Sequence, residues 1–264
     1  MAQIAFRTDS FGHSMASGAR ALRDALKQRL PLLRRSAPEH AHKPSVRLFL
    51  AETASVAEPV LRRLRPPIPI EPAVRKRVVI ILPGFATHPK RMAYMAGQLE
   101  RAGHTVKRWG LGYNFGPTPE NFDLLGKRVC DVSARYGEEV VLVGWSLGGI
   151  LAREIAKRHP DCVAKVITMG SPFSHSPYSN NMWRTYELIT GHPVDHPPVE
   201  ADIAAKPPVE TVALWSPRDG IISARSACGC AGERDRAVAL RCTHMGFSNS
   251  AEAILAVARE LDSD

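Results

Sequence analysis

Short apolar runs alternate along most of the chain with longer segments whose apolar positions return every three or four residues. The first run, VVIIL (Val78–Leu82), has the β-branched composition of a strand buried on both faces. The segment PKRMAYMAGQLERAG then carries helical periodicity and ends at Gly103. HTVKRW reads as a short strand, GLGYNFGPTPE as a Gly/Pro-rich loop, and NFDLLGKRVCDVSARYG as a helix closed by Gly137. The rhythm repeats with strand EVVLVG, helix LGGILAREIAKRH stopped by Pro160, and strands VAKVITMG, ETVALWS and AVALRC. SAEAILAVARELD closes the series as a helix. Alternation of this kind predicts an α/β fold with a mostly parallel central sheet and helices on both faces.

Two regions break the alternation. Residues 171–208 are polar and Pro-rich around one helical piece, YSNNMWRTYELITG. An interval that long in a compact domain is read as a lid or cap insertion, with Trp183, Tyr186, Leu188 and Ile189 offering an apolar underside to a ligand or forming the insertion's own small core. Residues 1–77 are the other region, read as an N-terminal helical extension and a Pro-rich linker. Met15, Ala19, Leu22, Leu26, Leu30 and Leu33 recur at helical spacing with arginines and lysine on other faces, and Pro31 disturbs that helix. A second helical stretch near 46–64 gives way to RPPIPIEP. Packing of the extension on the main domain, 78–264, is favoured over a membrane-surface role for its basic helix.

Composition narrows the class. The 264 residues carry 35 Lys plus Arg against 26 Asp plus Glu, a formal charge of +9. No zinc-finger, RNA-binding or helix-turn-helix signature accompanies that excess, so a nucleic-acid partner is not expected. The excess fits a solvated basic surface, an anionic membrane or an acidic carrier protein. The first ten residues lack the n- and h-regions of a secretory signal, which makes a cytoplasmic location the default. Five cysteines, an odd number, argue with that default for reduced thiols. Under export, Cys242 would be the partner of Cys228 or Cys230. No metal-ligand spacing occurs, CGC lacking the gap of a zinc site.

The chemistry gathers around GWSLGG. Ser146 stands between Gly144 and Gly148 at the junction of a predicted strand and a predicted helix. A serine hydroxyl is a weak nucleophile without a base, and a glycine-flanked strand–turn–helix presents it at the edge of a sheet. His244 follows the last predicted strand, where a base would sit, and Asp219 follows an earlier strand, giving the order Ser, Asp, His. Asp195 and Asp235 are weaker substitutes for Asp219. Backbone N–H groups of Phe85, in ILPGFATHP, and of Leu147 would form an oxyanion hole.

The set VVIILPGF, LVGWSLGGILARE, WSPRDGII and THMGFS resembles the α/β-hydrolase fold superfamily, and more narrowly its bacterial esterase/lipase-like serine hydrolases. The resemblance runs from Val78 to the C-terminus. It implies Ser146 as nucleophile, Asp219 as triad acid, His244 as base, Phe85 and Leu147 as donors, and no metal or organic cofactor. Two positions depart from the common pattern: Pro83-Gly84 stands where many members have His-Gly, and Trp145 where many have His, so that Trp145 either shapes the acyl pocket or packs. The expected reaction is hydrolysis of a carboxylic ester with a hydrophobic acyl or alkyl group. Thioester or amide cleavage, acyl transfer, and a non-catalytic membrane-surface or protein-binding module are the alternatives.

Overall fold

A computed structural model describes residues 27, 29–32, 34–55 and 66–263. The amphipathic pattern beginning at Met15 lies largely outside the described residues, as does the stretch 56–65. Residues 29–32 are helical, and Arg34 lies in a turn.

Among the described residues six strands form one parallel sheet: β1 (Val78–Leu82), β2 (Thr105–Arg108), β3 (Val140–Trp145), β4 (Val163–Met169), β5 (Glu210–Trp215) and β6 (Arg236–Ala239). Their spatial order is β2-β1-β3-β4-β5-β6. The order reverses between β1 and β3, so the crevice beyond the C-terminal ends of these two strands is the place where such a sheet takes a ligand.

Before the sheet comes α1 (Val46–Ser55); α2 (Ala93–Arg101), α3 (Pro119–Tyr136), α4 (Leu147–Arg158), α5 (Trp183–Thr190), α6 (Ala224–Cys228) and α7 (Ala251–Asp262) follow. Val79 and Ile81 of β1 pack with Met95 and Leu99 of α2 and with Ile254 and Val257 of α7. Val78, Ile80 and Leu82 face the other layer, with Leu125 and Val129 of α3 and Ile155 of α4. Burial on both faces explains why β1 and β3 read as continuous apolar runs rather than alternating ones. The helix α3 starts two residues before the sequence pattern does, because Thr118 accepts the Asn121 N–H as N-cap and Pro119 suits the first turn; Gly137 ends it at φ 69°. The last strand is displaced from AVALRC, pairing from Arg236 to Ala239 and leaving the chain free to turn before His244.

The Pro-rich segment is not a free linker: Ile68 is fully buried against the sheet. The cysteine expectation is corrected as well. Cys130 of α3 and Cys162, in the turn leading to β4, form a disulfide, so the thiol argument for a reducing compartment falls away. Cys228, Cys230 and Cys242 are free, with Cys242 buried and not bonded to either of the others. Among the described residues, no helix is long and apolar enough to cross a membrane.

Candidate active site

Ser146 is the first residue past β3, at φ 53° and ψ −123°. A non-glycine residue in this region is strained, and the surrounding glycines are what permit it. A Cβ on Gly144 would stand 2.4 Å from the Gly148 carbonyl oxygen, and one on Gly148 would stand 2.4 Å from that of Leu82. Gly149 is equally constrained, its virtual Cβ lying 2.0 Å from Ser171 Oγ. Helix α4 can therefore start directly against the ends of β1 and β3, with Ser146 at its N-terminus, where backbone N–H groups favour developing negative charge.

His244 and Asp219 come from the loops after β6 and β5. The Nδ1 atom of His244 lies 2.7 Å from Asp219 Oδ2, with both residues buried. The other carboxylate oxygen, Oδ1, accepts the N–H groups of Ile221 and Ile222 at 2.8 and 2.7 Å, which holds the acid in place. Asp219 is thus engaged on both oxygens and leaves Nε2 of His244 for other chemistry. Neither substitute reaches the histidine: Asp195 bonds Arg35 and Tyr178, and Asp235 bonds Lys206 and the Thr211 N–H.

Phe85 lies in the turn after β1. Among the described residues, its N–H and that of Leu147 are donated to no protein acceptor. Gly84 brings this turn close to the serine, since a Cβ there would sit 3.3 Å from Ser146 Cβ and 3.2 Å from the Trp145 ring. Asn114, which sequence reasoning missed, clamps the turn. Fully buried, it donates from Nδ2 to Pro83 O at 2.7 Å, accepts the Ala86 N–H at its own carbonyl and donates its N–H to Thr87 O. Trp145 is core and site at once. Its ring is buried, and Nε1 donates to the His244 carbonyl at 3.1 Å, tying the His244 loop to the end of β3.

Ser146 and His244 open into one cavity of about 320 Å³. Its walls are chiefly apolar: Ile150 and Leu151 of α4, Ile221 and Ile222 beside Asp219, and Met182, Trp183 and Tyr186 from 171–208. Trp183 is buried, and Tyr186 stacks obliquely on Phe85 with ring centroids 5.0 Å apart; burial pushes the Tyr186 phenol well up. Among the described residues Glu154 is the one carboxylate in the wall, and it pairs with Lys157. Arg153, turned the other way, binds the carbonyls of Ile203, Ala204 and Ala205 and lies over Phe173, fastening the end of the insertion to α4. Burial lowers its guanidinium to about 10, which leaves it charged at neutral pH. Among the described residues no cluster of His, Cys, Asp or Glu has the geometry to hold a metal.

The family model described as "Alpha/beta hydrolase family" matches residues 78–257. Two curated proteins, both named pimeloyl-[acyl-carrier protein] methyl ester esterase, match in part. The one from Aliivibrio salmonicida is 38% identical over 68 residues, 26% of this chain and 25% of that protein. The one from Edwardsiella ictaluri is 32% identical over 98 residues, 36% of this chain and 37% of that protein. The chain therefore matches well under half the length of either relative. Among solved structures, Bacillus licheniformis lipase BlEst2 superposes with a TM-score of 0.53 at 14% identity, over 75% of this chain and 96% of that one. Aspergillus fumigatus lipase B gives 0.51 at 19% identity, over 72% of this chain and 53% of that one. At such identities these structures show a common fold.

Proposed function

Because the chain belongs to the alpha/beta hydrolase family, we propose that it is a serine hydrolase that cleaves carboxylic esters through an acyl-enzyme intermediate. The observation that carries this reading is the convergence of a strained Ser146 and the hydrogen-bonded His244–Asp219 pair on one apolar cavity. His244 Nε2 takes the hydroxyl proton as Ser146 Oγ attacks the ester carbonyl, and Asp219 stabilises the imidazolium that results. The N–H groups of Phe85 and Leu147 hold the oxyanion of the tetrahedral intermediate. As that intermediate collapses, the C–O bond to the alcohol breaks and His244 returns the proton to the departing oxygen. Water, deprotonated by the same imidazole, then attacks the acyl-serine and releases the acid. The cavity walls support substrates with a hydrophobic acyl or alkyl group.

Ser146→Ala should lower p-nitrophenyl butyrate turnover by at least about 1,000-fold and abolish labelling by a fluorophosphonate. Turnover retained by that variant would overturn the assignment. A second reading has a specific support: the two curated relatives are named for esters of an acyl-carrier protein, and this chain's charge of +9 suits an acidic carrier. A preference for carrier-borne over free methyl esters that weakens with salt would favour it.

A further inference from the structure

Glu52 projects from α1, outside the region that the hydrolase family model covers, and is buried. Its Oε1 accepts the Gly220 N–H at 2.8 Å and the His244 N–H at 2.7 Å, while Oε2 accepts the Met245 N–H at 2.9 Å. One carboxylate thus spans the acid-bearing and base-bearing loops, gripping the residue after Asp219 and the backbone of His244 itself. The hydrolase core has its own tie between these loops, from Ser216 Oγ to the Cys242 carbonyl at 2.6 Å, but that bond acts three and two residues before the reacting side chains.

The acid loop is shaped to receive this helix. A Cβ on Gly220 would meet the Leu48 carbonyl oxygen of α1 at 2.3 Å, so a glycine is what lets the two backbones approach. Asn181, from the insertion, completes the joint by donating from Nδ2 to the carbonyls of Pro44 and Gly220 at 3.1 and 2.8 Å. The chemistry favours a carboxylate over an amide. Three N–H donors converge on two oxygens, whereas a glutamine has one acceptor and turns an NH₂ toward the third donor.

We infer that Glu52 is a positioning residue for the hydrolytic reaction: the N-terminal extension completes the active site by fixing the Asp219–His244 pair through its backbone. The inference rests on the serine-hydrolase reading above. A small displacement of a general base costs a large factor in rate because its geometry is set before the reaction begins. Glu52 is not placed against the cavity, so its loss acts on chemistry rather than on substrate capture.

The test uses the full chain with wild type, Ser146→Ala, Glu52→Ala, Glu52→Gln and, as a control on the exposed face of the same helix, Arg47→Ala. Rates are normalised to the concentration of sites that a fluorophosphonate labels to completion. Glu52→Ala should lower both kcat and the labelling rate constant by about 10- to 100-fold, with KM moving by less than about threefold. Glu52→Gln should fall between it and wild type, and Arg47→Ala should match wild type. A role confined to anchoring the helix predicts fewer active molecules, each with the wild-type kcat, and that result overturns the inference. So does a folded Glu52→Ala protein with unaltered kcat and labelling rate. Should Glu52→Ala fail to fold, a wild-type kcat in Glu52→Gln overturns it equally. A wild type that fails to label, or a Ser146→Ala variant that does label, would overturn the serine-hydrolase reading and this inference with it; a labelling wild type with unaffected Glu52 variants overturns the inference alone.

Discussion

His104 lies buried at the start of β2, where its Nδ1 accepts the Arg77 N–H at 3.2 Å and its Nε2 has no hydrogen-bond partner among the described residues. Burial pulls its pKa below the usual 6.5, the Arg77 charge adds to that, and Asp262 opposes it. The unfolded chain therefore binds the extra proton first as pH falls. Stability is fully present above about pH 6.5 and drains away below it, with a slope of at most about 1.4 kcal/mol per pH unit from this one group. In His104→Gln, whose amide oxygen can still accept the Arg77 N–H, urea midpoints measured from pH 7 to pH 5 should fall less steeply than in wild type. Parallel curves would show that other groups carry the acid sensitivity. Ser146 was legible at this scale because its glycines serve a turn only a few residues long, and Asp219 and His244 because each follows a strand. Asn114 and Glu52 were not: each acts through backbone groups of segments remote in sequence, and nothing in the residues around them records the contact.

Strands and helices followed from periodicity where burial is continuous, as in β1 and β3, and shifted where it is not. Edge strand β6 is only partly buried, so its ends are set by pairing with β5 rather than by its own apolar run. The disulfide was misread for a related reason: an odd cysteine count says nothing about one pair that tertiary packing brings together. It joins α3 to the turn before β4, closing a sequence separation of 32 residues at the end of the sheet away from the serine. Chain-entropy arguments for a loop of that size put its contribution at about 3–4 kcal/mol. The double variant Cys130→Ser/Cys162→Ser should lose about that much in urea unfolding while keeping its kcat per labelled site. Thiol titration should count Cys228 and Cys230 in the native protein. Burial holds the Cys242 thiol well above its usual range, so it should react only on unfolding.

At the scale of the molecule, three parts of the chain are joined around one cavity. The sheet and α4 supply its floor, 171–208 supplies about half of its apolar wall, and the extension ties that segment down through Arg35, which bonds Asp195 and Glu187. Such an enclosure should measure its substrate. Each methylene moved from water into an apolar wall is worth about 0.8 kcal/mol, or about a fourfold gain in kcat/KM when the transition state keeps the contact. Across p-nitrophenyl esters from acetate to dodecanoate, kcat/KM should climb by about that factor per carbon and then stop once a space of about 320 Å³ is filled. Trp183 forms part of the wall, so Trp183→Ala should carry the climb to longer chains, at a stability cost of about 3–5 kcal/mol for the lost indole. The two effects separate in one experiment, because stability is read by urea and selectivity by the ratio of long- to short-chain rates in the same folded sample. A flat profile in wild type would mean that the acyl chain does not enter this cavity. An unchanged profile in Trp183→Ala would move the chain-measuring wall to α4 and the Ile221–Ile222 turn.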